Sequence, residues 1–320
     1  MQKTLLAALL IFNLPFYSFG KIMQKTEQLN VRQSKQWISY FGNDSAKTVI
    51  LFVHGGPGSP LMMFSESFDK ELAKNFLVVH WDQRGAGKSY TPEAFNKSLS
   101  LKDYVADGLE VVKHLKEKLP GKKLILVGHS WGTVVASHMV KAEPDAFVAY
   151  VSVGTVVDYA KADQIKYEFL HKNHPELKAP PYVHWADAMQ VSQLLIKAHR
   201  IFHGIALDEV NRAAGSGHFY SMDDLKNQSL GAQKSFEALI PFLEKYNAAS
   251  AVPTLDIPTY FIQGTFDLAT PTELVKKYFD KTLAPKGKEF IEFKNSAHFP
   301  MFEEAALFAE TMKKVGSLRP

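Results

Sequence analysis

Cysteine is absent from all 320 residues. That absence excludes a disulfide framework, a thiolate nucleophile, Cys-ligated zinc and a Cys-held iron–sulfur cluster. Long apolar runs are also missing: the run from Leu5 to Phe12 falls well short of the roughly 20 residues needed to span a bilayer. Lys and Arg form no block, and the formal net charge is only +4. The charge pattern therefore gives no sign of a nucleic-acid or other polyanion partner. With 46% hydrophobic and 22% charged residues, the composition is that of an ordinary soluble globular protein. Disorder, collagen and coiled coil are excluded on that basis. The length permits two domains, or one large α/β unit carrying an insertion.

Residues 1–20 read differently from the rest. Lys3 precedes the short apolar run, and Ser18-Phe19-Gly20 places small residues at the third-last and last positions before Lys21. This is the pattern of a secretory signal peptide. The expectation is export, to a secreted or periplasmic location, with no membrane association once the leader is removed.

Strand-like stretches are expected around Gln36–Phe41 and at Lys47–His54, Phe76–Trp81, Lys123–Gly128, Ala149–Gly154, Pro258–Gly264 and Glu289–Phe293. Before them, the residues following Lys21 read as polar. Helical spacing covers Leu61–Lys74, Leu101–Lys118 (with Ser100 as N-cap), Trp131 to about Lys141, Pro271–Phe279 and Pro300–Val315. Strands alternating with helices imply a mostly parallel central sheet with helices on both faces. The alternation stops between Val156 and Val252, where helices and loops without buried strands read as an inserted helical cap. The expected organisation is a core of residues 21–155 and 253–320, with the cap at 156–252. Pro180-Pro181 and Gly215-Ser216-Gly217 mark loops inside the cap.

The strongest chemical signal is Gly128-His129-Ser130-Trp131-Gly132, a G-x-S-x-G between an apolar strand and a helix. That context is a nucleophile elbow, with glycines flanking a serine on a tight strained turn. The Trp131 N–H then stands at a helix N-terminus, where an oxyanion would form. A serine needs a base, and His298 follows the last strand. Asp267 follows the strand ending at Gly264 and fills the place between Ser130 and His298 where the acid belongs, with Asp158 as substitute. A second oxyanion donor is expected from His54-Gly55-Gly56-Pro57-Gly58, with Gly56 N–H first and Gly55 next.

HGGPGSP at 54–60, WDQRGAGKS at 81–89, GHSWG at 128–132, Asp267 and His298 together make the chain resemble the proline iminopeptidase family. The resemblance runs in order through the whole chain after residue 20. It implies the α/β-hydrolase fold and release of an N-terminal residue, preferably proline, from short peptides. Two positions depart from the family pattern. His129 stands where many members have Gly, and the only cap tryptophan, Trp185, has no neighbouring Glu to hold a substrate amine. Glu168, Asp208, Glu209, Glu237 and Glu244 are the unranked cap carboxylates for that role.

The expected chemistry is attack by Ser130 on an acyl carbon, with His298 as base and Asp267 orienting the imidazole. Gly56 and Trp131 N–H groups hold the oxyanion, and water hydrolyses the acyl-enzyme. No metal or organic cofactor enters this scheme. The expected partner is a small peptide or small acyl substrate; an esterase or amidase on small acyl compounds is the alternative. Gly85–Ser89 imitates the end of a P-loop, but Asp82 occupies the position of its first Gly. His199 and His203 are spaced i,i+4 on an expected helix without a Glu between them, and read as packing rather than zinc ligands. Asp82-Gln83-Arg84-Gly85 reads as a structural turn.

Overall fold

A computed structural model describes residues 21–180, 188–205, 207–216 and 219–317. The expected leader, Pro181, Trp185 and Gly217 lie outside the described residues. Strands β1 (Ile22–Val31), β2 (Ser34–Asn43), β3 (Thr48–Val53), β4 (Leu77–Asp82), β5 (Lys123–His129), β6 (Ala149–Val153), β7 (Thr259–Gly264) and β8 (Lys288–Phe293) form one sheet. Their spatial order is β1-β2-β4-β3-β5-β6-β7-β8. β2 is antiparallel to both β1 and β4, and the strands from β4 to β8 are parallel.

Every residue of β3 is buried, as a strand covered on both faces must be. Successive side chains point to opposite faces, so Leu51 and Val53 enter one core and Ile50 and Phe52 the other. The first core is completed by Tyr104, Val111 and Val112 of α2 (Leu101–Lys118) and Met139 of α3 (Trp131–Ala142). Phe68 of α1 (Ser65–Leu72) lies in the second. Ser100 caps α2 by accepting the Asp103 N–H.

The polar residues after Lys21 form β1, which the sequence pattern did not announce. Its side chains are mostly exposed or half-buried. Backbone pairing from Ile22↔Asn43 to Val31↔Ser34 makes it a strand, and only Leu29 and Val31 at its end are buried, in the first core.

Between β6 and β7 the described elements are helices: α4 (Tyr159–Asn173), α5 (Ala188–Lys197), α6 (Leu207–Ser216), α7 (Met222–Leu243) and α8 (Ala248–Ala251), with a short 3₁₀ turn at Pro175–Leu177. α9 (Thr272–Lys281) follows β7. The helix expected over Pro300–Val315 is two, α10 (Pro300–Glu303) and α11 (Ala305–Ser317). Glu304 leaves helical geometry between them, with φ −127° and ψ 53°. Its carboxylate accepts the Asn295 N–H and the Ser296 hydroxyl in the preceding loop. Phe308 and Met312 of α11 complete the second core.

Candidate active site

Parallel sheets place ligand sites beyond the C-terminal ends of their strands. Gly56 follows β3, Ser130 follows β5, Asp267 follows β7 and His298 follows β8, so the expected residues converge on one edge. Ser130 has φ 53° and ψ −123°, a left-handed conformation that a serine adopts only where surroundings enforce it. The enforcement is visible. Ser130 N–H donates to the Val153 carbonyl at 3.0 Å, and its own carbonyl accepts from Thr133 N–H and Thr133 hydroxyl. A Cβ at Gly132 would lie 1.9 Å from the Val53 carbonyl oxygen, so only glycine lets α3 start this close to β3.

His298 and Asp267 are both buried. His298 Nδ1 lies 2.8 Å from Asp267 Oδ2. A carboxylate only accepts, so Nδ1 carries the proton and Nε2 of the neutral ring is the basic nitrogen. Asp267 is fixed in turn by Thr270 N–H at 3.0 Å, Thr270 hydroxyl at 2.8 Å and Gln263 Nε2 at 3.0 Å. Asp158, the substitute acid, caps α4 through Lys161 N–H and accepts from Asn247, so it is engaged away from His298.

Gly55 passes so close to the elbow that a Cβ there would sit 2.8 Å from Ser130 Cβ. Gly56 follows with φ 107° and a cis bond to Pro57, and Ser59 N–H closes the loop on the Gly55 carbonyl. Trp131 opens α3, so its N–H is one of the first-turn amides the helix leaves without an acceptor. Gly56, Ser130, Trp131 and His298 line one cavity of about 770 Å³.

Gln83 ties these pieces together, a role its place in the sequence does not suggest. Its side chain donates to the His54 carbonyl and accepts from Trp131 Nε1, while its N–H donates to His54 Nε2. Burial pushes the His54 imidazole down to about 4, which keeps it neutral as that acceptor. His129 is buried against His298, with ring centroids 4.7 Å apart, and its Nε2–H donates to the His298 carbonyl at 2.9 Å. Burial holds His129 well below the usual imidazole range.

The turn at Asp82–Gly85 is structural, as expected. Asp82 accepts Lys88 N–H and the Tyr220 hydroxyl, and Arg84 binds Asp107 through two bonds of 2.8 Å. Lys88, the lysine of the P-loop imitation, pairs with Asp224 at 2.8 Å instead. His199 and His203 do not share a helix. α5 ends at Lys197, and His199 has φ 55°, which breaks the i,i+4 geometry. His203 stacks on Phe266 with centroids 3.6 Å apart.

Of the five unranked cap carboxylates, Glu237 lines the cavity. Asp158 and Asp163 line it as well, but Asp163 is paired with Lys166 at 2.9 Å. Glu237 accepts from Gln233, and among the described residues no cation pairs with it.

Glu303 carries no mark in the sequence, where it reads as an ordinary first-turn acid. One oxygen accepts the N–H groups of His203 (2.6 Å) and Ala297 (2.9 Å), and the other accepts that of Phe299 (2.8 Å). Burial pushes its carboxyl up to about 7 against the opposing pull of those three donors.

The chain belongs to the alpha/beta hydrolase fold family, whose model matches residues 48–305. Among curated relatives it is 30% identical over 308 residues to a probable aminopeptidase, YbaC, of Bacillus subtilis (strain 168), covering 90% of this chain and 95% of that one. It is 25% identical over 270 residues to the proline iminopeptidase of Heyndrickxia coagulans, covering 82% of this chain and 88% of that protein. Among solved structures, the proline iminopeptidase of Mycobacterium smegmatis superposes with a TM-score of 0.69 at 16% identity, over 91% of this chain and 98% of that one.

Proposed function

We propose that the protein is a serine exopeptidase that releases an N-terminal residue, preferably proline, from short peptides through an acyl-enzyme. The observation that carries this reading is the His298–Asp267 bond of 2.8 Å, with His298 lining the same cavity as the elbow serine Ser130. Ser130 Oγ attacks the scissile carbonyl carbon as His298 Nε2 takes its proton. The carbonyl oxygen gains negative charge and is met by the N–H groups of Gly56 and Trp131. Collapse expels the leaving amine, which takes the proton from His298. Water, deprotonated by the same imidazole, then hydrolyses the Ser130 ester. Asp267 keeps Nδ1 protonated and stabilises the ring while it is charged.

The substrate side rests on Glu237, a cavity carboxylate without a cationic partner among the described residues, which is suited to a free N-terminal ammonium. The cavity volume falls in the usual range for small-molecule sites and leaves space for the released residue and the one after it. The resemblance to aminopeptidases supports this reading over an esterase or amidase on small acyl compounds. In the same proposal residues 1–20 direct export to a secreted or periplasmic location. A panel of aminoacyl 4-nitroanilides beside short-chain 4-nitrophenyl esters tests the activity. Preferred cleavage of free prolyl and alanyl anilides supports it; turnover of esters alone rejects it in favour of the esterase.

A further inference from the structure

The segment 200–203 of the helical insertion lies across the two loops that carry the candidate acid and base. Leu268 N–H donates to the Arg200 carbonyl at 3.1 Å, one residue after Asp267. His298 N–H itself donates to the Ile201 carbonyl at 3.0 Å. Two ring stacks run beside these bonds. His203 lies on Phe266 at 3.6 Å and 9°, and Phe202 on Phe299 at 4.7 Å and 13°. Phe266 precedes Asp267 and Phe299 follows His298. Glu303 then closes the arrangement, because its carboxylate accepts N–H groups from both neighbours of His298 and from His203. A helix-end acid that merely capped its own helix would have no reason to reach a donor 100 residues earlier.

We propose that Glu303 is a positioning residue: with the segment 200–203 it locks the His298 loop to the cap, so that placement of the base depends on how the cap is seated. The proposal rests on the reading of Ser130 and His298 as nucleophile and base. Both carboxylate oxygens are used as acceptors. Replacing one by an amide NH₂ sets a donor against a backbone N–H, which the loop relieves by moving. His298 sits inside that loop, and displacement of a reacting group by about 1 Å costs up to about 10²-fold in rate. Seating of the cap on a substrate is thereby transmitted to the base through backbone bonds and ring stacks.

The test uses the full-length enzyme with alanyl 4-nitroanilide and, separately, a fluorophosphonate that reacts at the active serine. Glu303→Gln is expected to lower kcat and the fluorophosphonate rate together, by about 10- to 100-fold, with KM changing less than about 3-fold. His203→Ala, which removes the stack on Phe266, is expected to lower both by a smaller factor at unchanged Tm. The double variant is expected to be no slower than Glu303→Gln alone, because both act through one loop. A lower Tm for Glu303→Gln with unchanged kcat per reactive serine overturns the proposal, as do fully additive losses. Where Glu303→Gln does not fold, His203→Ala decides: reduced kcat at unchanged Tm supports the coupling and unchanged kcat overturns it. Labelling of a serine other than Ser130 in the wild type removes the underlying reading itself, a result distinct from either of these.

Discussion

Gly154 lies directly against the His298 ring, so that a Cβ at position 154 would sit 2.9 Å from Cε1 and 3.0 Å from Nδ1. The residue also has φ 58°, where a side chain is strained in any case. Gly154→Ala is therefore expected to push the imidazole off Asp267 and lower kcat by about 10- to 100-fold. The stability loss should stay near 1–2 kcal/mol, from the backbone strain. Steady-state kinetics with a denaturant titration check this. Wild-type kcat in the variant would show that the ring does not need its place.

Asp82 makes stability depend on pH. Burial pushes its carboxyl up to about 7, opposed by the Tyr220 hydroxyl and Lys88 N–H, and its Oδ1 is buried without a partner. The folded protein thus keeps a proton on Asp82 up to about pH 7, whereas the unfolded chain releases it near pH 4. The folded state binds more protons in that window, so this contribution to stability is full below about pH 4 and is lost as pH rises to about 7. Asp82→Asn should remove this part of the slope. Unfolding free energy of wild type minus variant is expected to fall by roughly 1–4 kcal/mol between pH 4 and 7. Glu303 titrates over the same window in both proteins and cancels from the difference. A difference independent of pH would show that Asp82 is ionised throughout.

Glu237 is the test of amine recognition. Removing a charge-assisted hydrogen bond at the substrate N-terminus costs roughly 1.5–3 kcal/mol, or about 10- to 150-fold in kcat/KM. N-acetylation of a dipeptide substrate should produce that drop in the wild type, and Glu237→Gln should produce it for the free dipeptide. Acetylation should then cost the variant almost nothing further. Equal cleavage of free and acetylated substrates by the wild type would remove the clamp and favour the esterase or amidase.

Much of this architecture was legible in the chain. β3, β5 and β7 are short apolar runs ending in turn residues, and Ser130, Asp267 and His298 follow strands in the order the chemistry requires. Each of those signals is local. β1 was not legible, because only Leu29 and Val31 at its end alternate into the core while the longer stretch before them is polar and held by backbone pairing. The break at Glu304 and the roles of Gln83 and Glu303 were hidden for another reason. Their partners lie far along the chain, as Glu303 and His203 do, and a bond between distant residues leaves no periodic mark in either segment. His199 and His203 misled in the opposite sense, since i,i+4 spacing implies one helical face only where the helix continues.

That Ser130 is the covalent nucleophile is the central claim, and fluorophosphonate labelling followed by peptide mass spectrometry tests it most directly. One adduct is expected, on the peptide holding Gly128–Gly132 and at Ser130. Ser130→Ala is expected to give no adduct and a kcat about 10⁴-fold or more below wild type. An adduct on another serine, or a Ser130→Ala variant that still labels and turns over, would contradict it.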